Sequence, residues 1–318
     1  MKKGFKIFSI LGLVLMLVGS ILFFYSLSEN GWKFESLTTV KYERNEEIIE
    51  GEFTNINIDT TVSELVIRKG LENKVNIYEP KKNDHEIVVI DGELKVASVD
   101  NMNFIENMLN FKKSKITLFL KDEVYRSLKI NVITGEIKID ESFSFTNIEI
   151  KGATGNVICS YVESDTIDIE LTTGNVNMKD VKAKDINIDV STGNISLNNI
   201  ESTNECNLTI TTGEIFFEKG KLNNFYSKGN SGDIDLINVQ ASAKLEIERS
   251  TGDIEFSRID ASEIELKTTT GDIEGTILTE KNFIVETTTG EKKYPYGTTG
   301  GRCEIITTTG DVKITIAK

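Results

Sequence analysis

A five-residue phrase, Thr-Thr-Gly-acid-Ile, written most plainly at Thr269–Ile273, recurs down two-thirds of the chain and narrows what it can fold into. Aligned on the glycine, its copies fall at Gly135, Gly155, Gly174, Gly193, Gly213, Gly232, Gly252, Gly271, Gly290 and Gly310, separated by 20, 19, 19, 20, 19, 20, 19, 19 and 20 residues. A period held that constant marks stacked copies of one supersecondary unit.

The columns around the glycine show what the unit is. Seven and five residues before it stand apolar pairs such as Ile148/Ile150, Ile167/Ile169 and Ile264/Leu266; two and four after it stand pairs such as Val157/Cys159, Ile195/Leu197 and Ile254/Phe256. Apolar residues two apart, separated by polar ones, mark strands with one buried face. A further inward position follows seven after the glycine, at Val162, Val181, Ile200, Val239, Ile259 and Leu278. One copy alone offers too few inward side chains to offset the ordering of its backbone. Stacking resolves this by pairing each strand with the same strand of the next copy. The reading is an all-β chain, a β-solenoid (β-helix-like) of about ten 19–20-residue coils spanning residues 128–318, on the order of 45 Å long at the inter-strand spacing. The glycine is its corner, the residue able to take positive φ or close backbone approach.

Ahead of the coils, residues 1–6 carry Lys2, Lys3 and Lys6, and residues 7–27 carry no charge, a length that suits a membrane span. Bulky Leu22–Tyr25 and the lack of a small-residue cleavage site favour an uncleaved signal anchor over a signal peptide. The lysines then mark a cytoplasmic tail, and Phe23, Phe24, Tyr25 and Trp32 an outer aromatic belt. Residues 28–52 read as a juxtamembrane spacer, and 53–127 as degenerate coils capping the stack, with Val62 at the corner position and a helix or loop insertion at Asn101–Phe111. The expected location is the cell membrane, single-pass, with the C-terminal domain extracytoplasmic. The Lys-, Asn- and Ile-rich composition fits a Gram-positive bacterium.

With a formal net charge of −14 the chain is no nucleic-acid binder, since phosphates need clustered Lys/Arg. Its one histidine, His85, excludes a His-rich metal site and paired-histidine catalysis. Cys159, Cys206 and Cys303 fall in inward columns as small hydrophobes, Cys206 and Cys303 five coils apart and far beyond disulfide reach. The residue after the glycine is acidic in six consecutive copies, from Glu214 to Asp311. A divalent cation would fit such a row, but Asp and Asn satisfying turn amides is the simpler reading, and no metal or cofactor is assigned. Coils of near-constant length leave no material for a catalytic cleft, so no catalytic residues and no enzyme are expected. The pattern fails in one coil, Glu291–Arg302, where Lys292, Lys293, Tyr294, Tyr296 and Arg302 form a basic-aromatic set on an acidic body. These are the candidate partner-contact residues, against the plainer reading of an irregular coil bulging before the last strand.

Laid out this way, the chain resembles a bacterial family of membrane-anchored β-strand-repeat proteins labelled "putative adhesin". The resemblance rests on the single N-terminal anchor, the I-x-I-x-T-T-G-[DEN]-[IV] units from Leu128 to Ile314, and the closing I-I-T-T-T-G-D-V-K-I at 305–314. It covers roughly residues 53–318 and departs at Phe119–Arg126, where Lys121-Asp122-Glu123 stands in place of an expected proline. It implies a function in binding, adhesion or scaffolding at the cell envelope, with an envelope protein or glycan as partner. It also allows an accessory role in an envelope-stress response system. A polysaccharide-active β-helix enzyme is the third alternative.

Overall fold

The computed structural model describes residues 2–33, 40–61, 64–102, 106, 110, 112–297 and 299–317. The uncharged N-terminal run lies in helix α1 (Lys2–Glu29), whose stretch Phe8–Glu29 has a mean hydropathy of 2.4 and is long and apolar enough to cross a membrane. Seven short strands follow: β1 (Tyr42–Ile48), β2 (Asn55–Thr60), β3 (Glu64–Lys69), β4 (Lys74–Pro80), β5 (Asp84–Ile90), β6 (Glu93–Val99) and β7 (Lys115–Leu120). β2 and β3 form a coil of the stack. They pair in parallel with the first long strand, β8 (Val124–Thr173), at Ile56↔Leu128 and Leu65↔Ile137, and on their other side with β6 and β7. The chain then turns back on itself. β5 lies antiparallel on β6, β4 antiparallel on β7, and β1 antiparallel on β4. The stretch 28–52 is therefore not all spacer, because β1 forms inside it. Glu43, Arg44, Glu46 and Glu47 charge that outermost strand, a device that discourages further edge pairing. Most of Asn101–Phe111, and Val62, lie outside the described residues.

β9 (Val176–Thr192), β10 (Ile195–Thr212), β11 (Ile215–Ser231), β12 (Ile234–Thr251), β13 (Ile254–Ile259), β14 (Glu263–Thr270) and β15 (Ile273–Ile277) continue the stack in parallel register. Eight turns, cornered from Gly135 to Gly271, follow sequence order. All ten corner glycines have φ between 119° and 155°, and each corner N–H in the run from Gly174 to Gly271 donates to a Thr or Ser carbonyl of the neighbouring coil. A second corner, unmarked by any phrase, lies six residues after the glycine, at Tyr161, Asp180, Asn199, Lys219, Asn238 and Arg258, with φ of 53–62°. Asn and Asp tolerate this left-handed conformation best. The coil of Gly271 lacks this residue, so Ile277 rather than Leu278 takes the inward place.

Sequence order breaks at the C-terminal end. β16 (Lys281–Thr289) and β17 (Lys292–Lys293) do not stack on β14 and β15; β18 (Gly301–Thr309) and β19 (Val312–Ile316) do, and β16 and β17 pair with them from outside. The last coil is thus inserted before the second-last. Burial explains the exchange. The inserted coil puts Val312 and Ile314 into the core, whereas Lys292 and Tyr294 hold those columns in the other coil and stay exposed at the end of the stack. Interior placement of that coil would bury an unpaired ammonium. Cys206 and Cys303 are accordingly four coils apart, not five.

One hydrophobic core runs unbroken from Ile49 to Ile314. Among the charged side chains it encloses is Arg249, 2% exposed, three residues before its corner glycine. The guanidinium occupies the space above Gly229, where any Cβ would collide with it, and its Nη2 donates to Ser227 Oγ at 2.9 Å. Nε and Nη1 have no hydrogen-bond partner among the described residues, and burial pulls the group down to about 10. Holding the cation there opposes folding, by about 3 kcal/mol on the linkage between pKa and stability. Arg249→Met is therefore expected to stabilise the fold by about 1–3 kcal/mol, read as a higher urea midpoint at unchanged slope.

Candidate binding site

The alternation of 19- and 20-residue coils has a structural address. Where a coil has 20 residues, the extra one is taken up at the third corner, about ten after the glycine: the register shifts between Ser202 and Glu205, and between Leu222 and Asn224 against Ala241 and Lys244. The corners at Thr203–Asn204 and Ser242–Ala243 project accordingly. A trough of about 820 Å³ runs beside them across five coils, from Glu201 to Thr279. One row along it is Glu201, Lys221, Gln240, Asp260 and Thr279, the other Thr203, Asn223, Ser242 and Ser262, over a floor of buried Ser202, Leu222, Ala241 and Ala261. The second row is wired coil to coil: Ser242 Oγ donates to Asn223 Oδ1 at 2.8 Å, and Ser262 Oγ to the Ser242 carbonyl at 2.7 Å.

A buried lysine closes the trough. Lys281 is 4% exposed, and its Nζ lies 2.6 Å from Asp260 Oδ1, 2.7 Å from the Ala261 carbonyl and 2.8 Å from Thr279 Oγ1. Lys281 belongs to the outermost coil, and Gly301 of the inserted coil is its register partner. With no side chain at Gly301, the lysine reaches past the inserted coil to the one beyond. A Cβ there would strike the Ser262 carbonyl oxygen. All three ammonium donors are engaged, so the group binds structure rather than acting as a base.

The residues flagged in the sequence separate. Lys292 and Lys293 are exposed on β17, and Tyr294 packs on Phe283 with ring centroids 6.0 Å apart, covering the end of the core. Tyr296 is fully exposed. Arg302 lies elsewhere, paired with Glu263 at 3.3 Å and Glu304 at 3.0 Å, and lines a hollow that shares Ser242 and Ser262 with the trough. The row after the glycine is a ladder: Asp233, Asp253, Asp272 and Asp311 each present Oδ1 to the backbone N–H of the next coil at 2.7–2.8 Å. The three cysteine thiols are buried and pushed up to about 12.

Beside the hollow, Lys244, Glu246, Glu265, Lys267, Glu304 and Arg302 form one ion-pair chain across the coils. Hydrogen bonds from Lys267 and then Lys244 lower Glu265 from 4.5 to about 2. A depressed carboxylate stabilises the fold above its unfolded pKa and loses that contribution as pH falls through its folded pKa. Glu265→Gln should therefore cost about 1–2 kcal/mol at neutral pH, after allowance for solvent screening, and flatten the loss of stability between pH 4.5 and 2. Melts across that range check it.

No curated protein matches the chain. Solved structures align with the chain at low identity. A "putative adhesin" from Parabacteroides distasonis aligns at 15% identity and a TM-score of 0.49, over 73% of this chain and 98% of its own. One so described from Bacteroides fragilis aligns at 15% and 0.37, over 86% and 97%. A "putative cell adhesion protein" from Clostridium sporogenes aligns at 12% and 0.24, over 87% and 100%. The Toastrack DUF4097 family description matches residues 53–223 and 210–318, and the chain belongs to that family.

Proposed function

We propose that this chain is a non-enzymatic binding protein of the bacterial cell envelope, anchored by α1 in the cytoplasmic membrane of a Gram-positive cell with its solenoid outside. The observation that carries this reading is the trough: open, five coils long, and lined by hydroxyl, amide and paired charged groups. Its volume suits a ligand segment, and concave sites with a few convergent polar groups are where ligands bind. Its ion pair of buried Lys281 with Asp260 is spent on holding the end coils, which argues for binding over turnover.

The test is co-sedimentation of the full-length protein, in nanodiscs, with insoluble envelope material from its own cells. Saturable sedimentation supports the reading. A protein that stays in solution, and crosslinks in membranes to a single integral-membrane partner through the β1–β7 end, would instead support an accessory of an envelope-stress system.

A further inference from the structure

We infer that the trough takes an uncharged, extended polysaccharide segment lying along the stack axis, an inference that rests on the binding reading above. Three features of the trough point to this chemistry. The first is charge. The chain carries a net −14, yet the trough holds Glu201 and Asp260 against Lys221 and Lys281 and is balanced. A polyanion finds no excess of cations there and a polycation no excess of acids. The second is the spacing of hydrogen-bonding groups. Gln240, Asn223, Thr203, Ser262 and Thr279 stand in two rows that repeat at the coil spacing of about 4.8 Å, so the five coils cover on the order of 20 Å. A pyranose in an extended chain advances by about one such step and offers hydroxyls to both sides, so each sugar meets one coil. An extended peptide advances about 3.3 Å per residue and falls out of step with the rows. The third is the floor. Buried Ser202, Leu222, Ala241 and Ala261 put no charge between the polar rows, so nothing there favours an ionic ligand.

The projecting corners at Thr203–Asn204 and Ser242–Ala243 then act as guides, which gives the alternation of coil lengths a consequence beyond packing. The ends of the trough differ. The Lys281–Asp260 pair and Gly301 close one, and Glu201 and Thr203 mark the other.

The experiment titrates the full-length protein in nanodiscs with chitohexaose and with cellohexaose, and with polyphosphate as an anionic probe. Ser242→Trp fills the trough from an exposed corner, and Gln240→Ala removes an exposed amide; unchanged melting curves show that both variants fold. At least one neutral oligosaccharide should bind, with Ser242→Trp weakening it more than about tenfold and Gln240→Ala by up to about tenfold, the range of one lost hydrogen bond. Binding of polyphosphate in preference to both sugars, or sugar binding indifferent to Ser242→Trp, would overturn the inference. If neither sugar binds while envelope material still sediments the protein, the ligand class is wrong and the binding reading stands. If that material fails to sediment it as well, both fall.

Discussion

Gly213→Ala is expected to cost the solenoid about 4 kcal/mol or more, enough to unfold the coils around it. A Cβ at that corner would stand 1.6 Å from the Gly193 carbonyl oxygen, and φ there is 138°, where only glycine is at ease. Relief requires the two coils to part, which breaks the bond from Gly193 N–H to the Thr212 carbonyl and unpacks Ile215 and Leu208 on either side of the corner. The comparison that isolates the cause is Gly92→Ala. Gly92 also has positive φ, at 76°, but nothing lies within 4 Å of its Cβ position, so the cost should be limited to about 1–2 kcal/mol of backbone strain. Urea melts of both variants decide the matter. Similar losses would mean that the corner glycines are chosen for conformation alone and not for coil contact.

The second large effect belongs to the pair that ties the end coils together. Asp260→Ala leaves the Lys281 ammonium buried without its counter-charge and should cost about 3–5 kcal/mol. Lys281→Met should cost less, because Asp260 is 19% exposed and turns to water, with Thr279 Oγ1 still donating to it at 3.1 Å. The double variant Asp260→Ala/Lys281→Met should recover most of the loss, since no charge is then buried. A double variant as unstable as Asp260→Ala alone would show that the carboxylate matters through its turn, where it also accepts from the Ala261 N–H at 2.9 Å, and not through the lysine.

Much of the architecture is readable from columns. Glycine, the threonine before it and the apolar pairs around it fix the coil, because each is required by a local contact repeated at every level. Coil order is a different kind of information. Thr287-Thr288-Thr289-Gly290 and Thr307-Thr308-Thr309-Gly310 carry the same phrase, so the phrase cannot say which coil is inner. The deciding residues are Lys292 and Tyr294 against Val312 and Ile314, together with the glycines of the return path: a Cβ at Gly297 or Gly300 would strike the Lys281 or Glu280 carbonyl oxygen. Lys292, Tyr294 and Tyr296 lie at the exposed end of the stack, and Gly297 and Gly300 on the crossover that leads to the inserted coil.

The trough was marked only by coil length. The 20-residue gaps after Gly193 and Gly232 locate its projecting corners, but a spacing by itself does not say on which of three corners the extra residue falls. Arg249 was hidden for a related reason. Its column, three before the glycine, holds Val132, Leu171, Val190 and Ile210 in earlier coils and turns polar only later, and Ser227 in a neighbouring inward column was the visible trace of its partner. The charged run of β1 looks like spacer because an edge strand at the end of a stack is selected for charge, which erases the alternation by which strands are recognised.

Both the trough and the exposed end depend on the exchanged coils, since the inserted coil supplies Gly301 and pushes Lys292, Tyr294 and Tyr296 to the tip. A pair of engineered cysteines tests that order directly. Lys267 is the register partner of Ile306, and Ile306 in turn of Glu286, so Lys267 and Glu286 are separated by a full coil. The native cysteines are buried, leaving the engineered pair free to respond to mild oxidation. Lys267→Cys/Ile306→Cys should form a disulfide, as adjacent strands at about 4.8 Å allow, and Lys267→Cys/Glu286→Cys should not. A disulfide in the second variant and none in the first would contradict the exchanged order, and with it the placement of both surfaces.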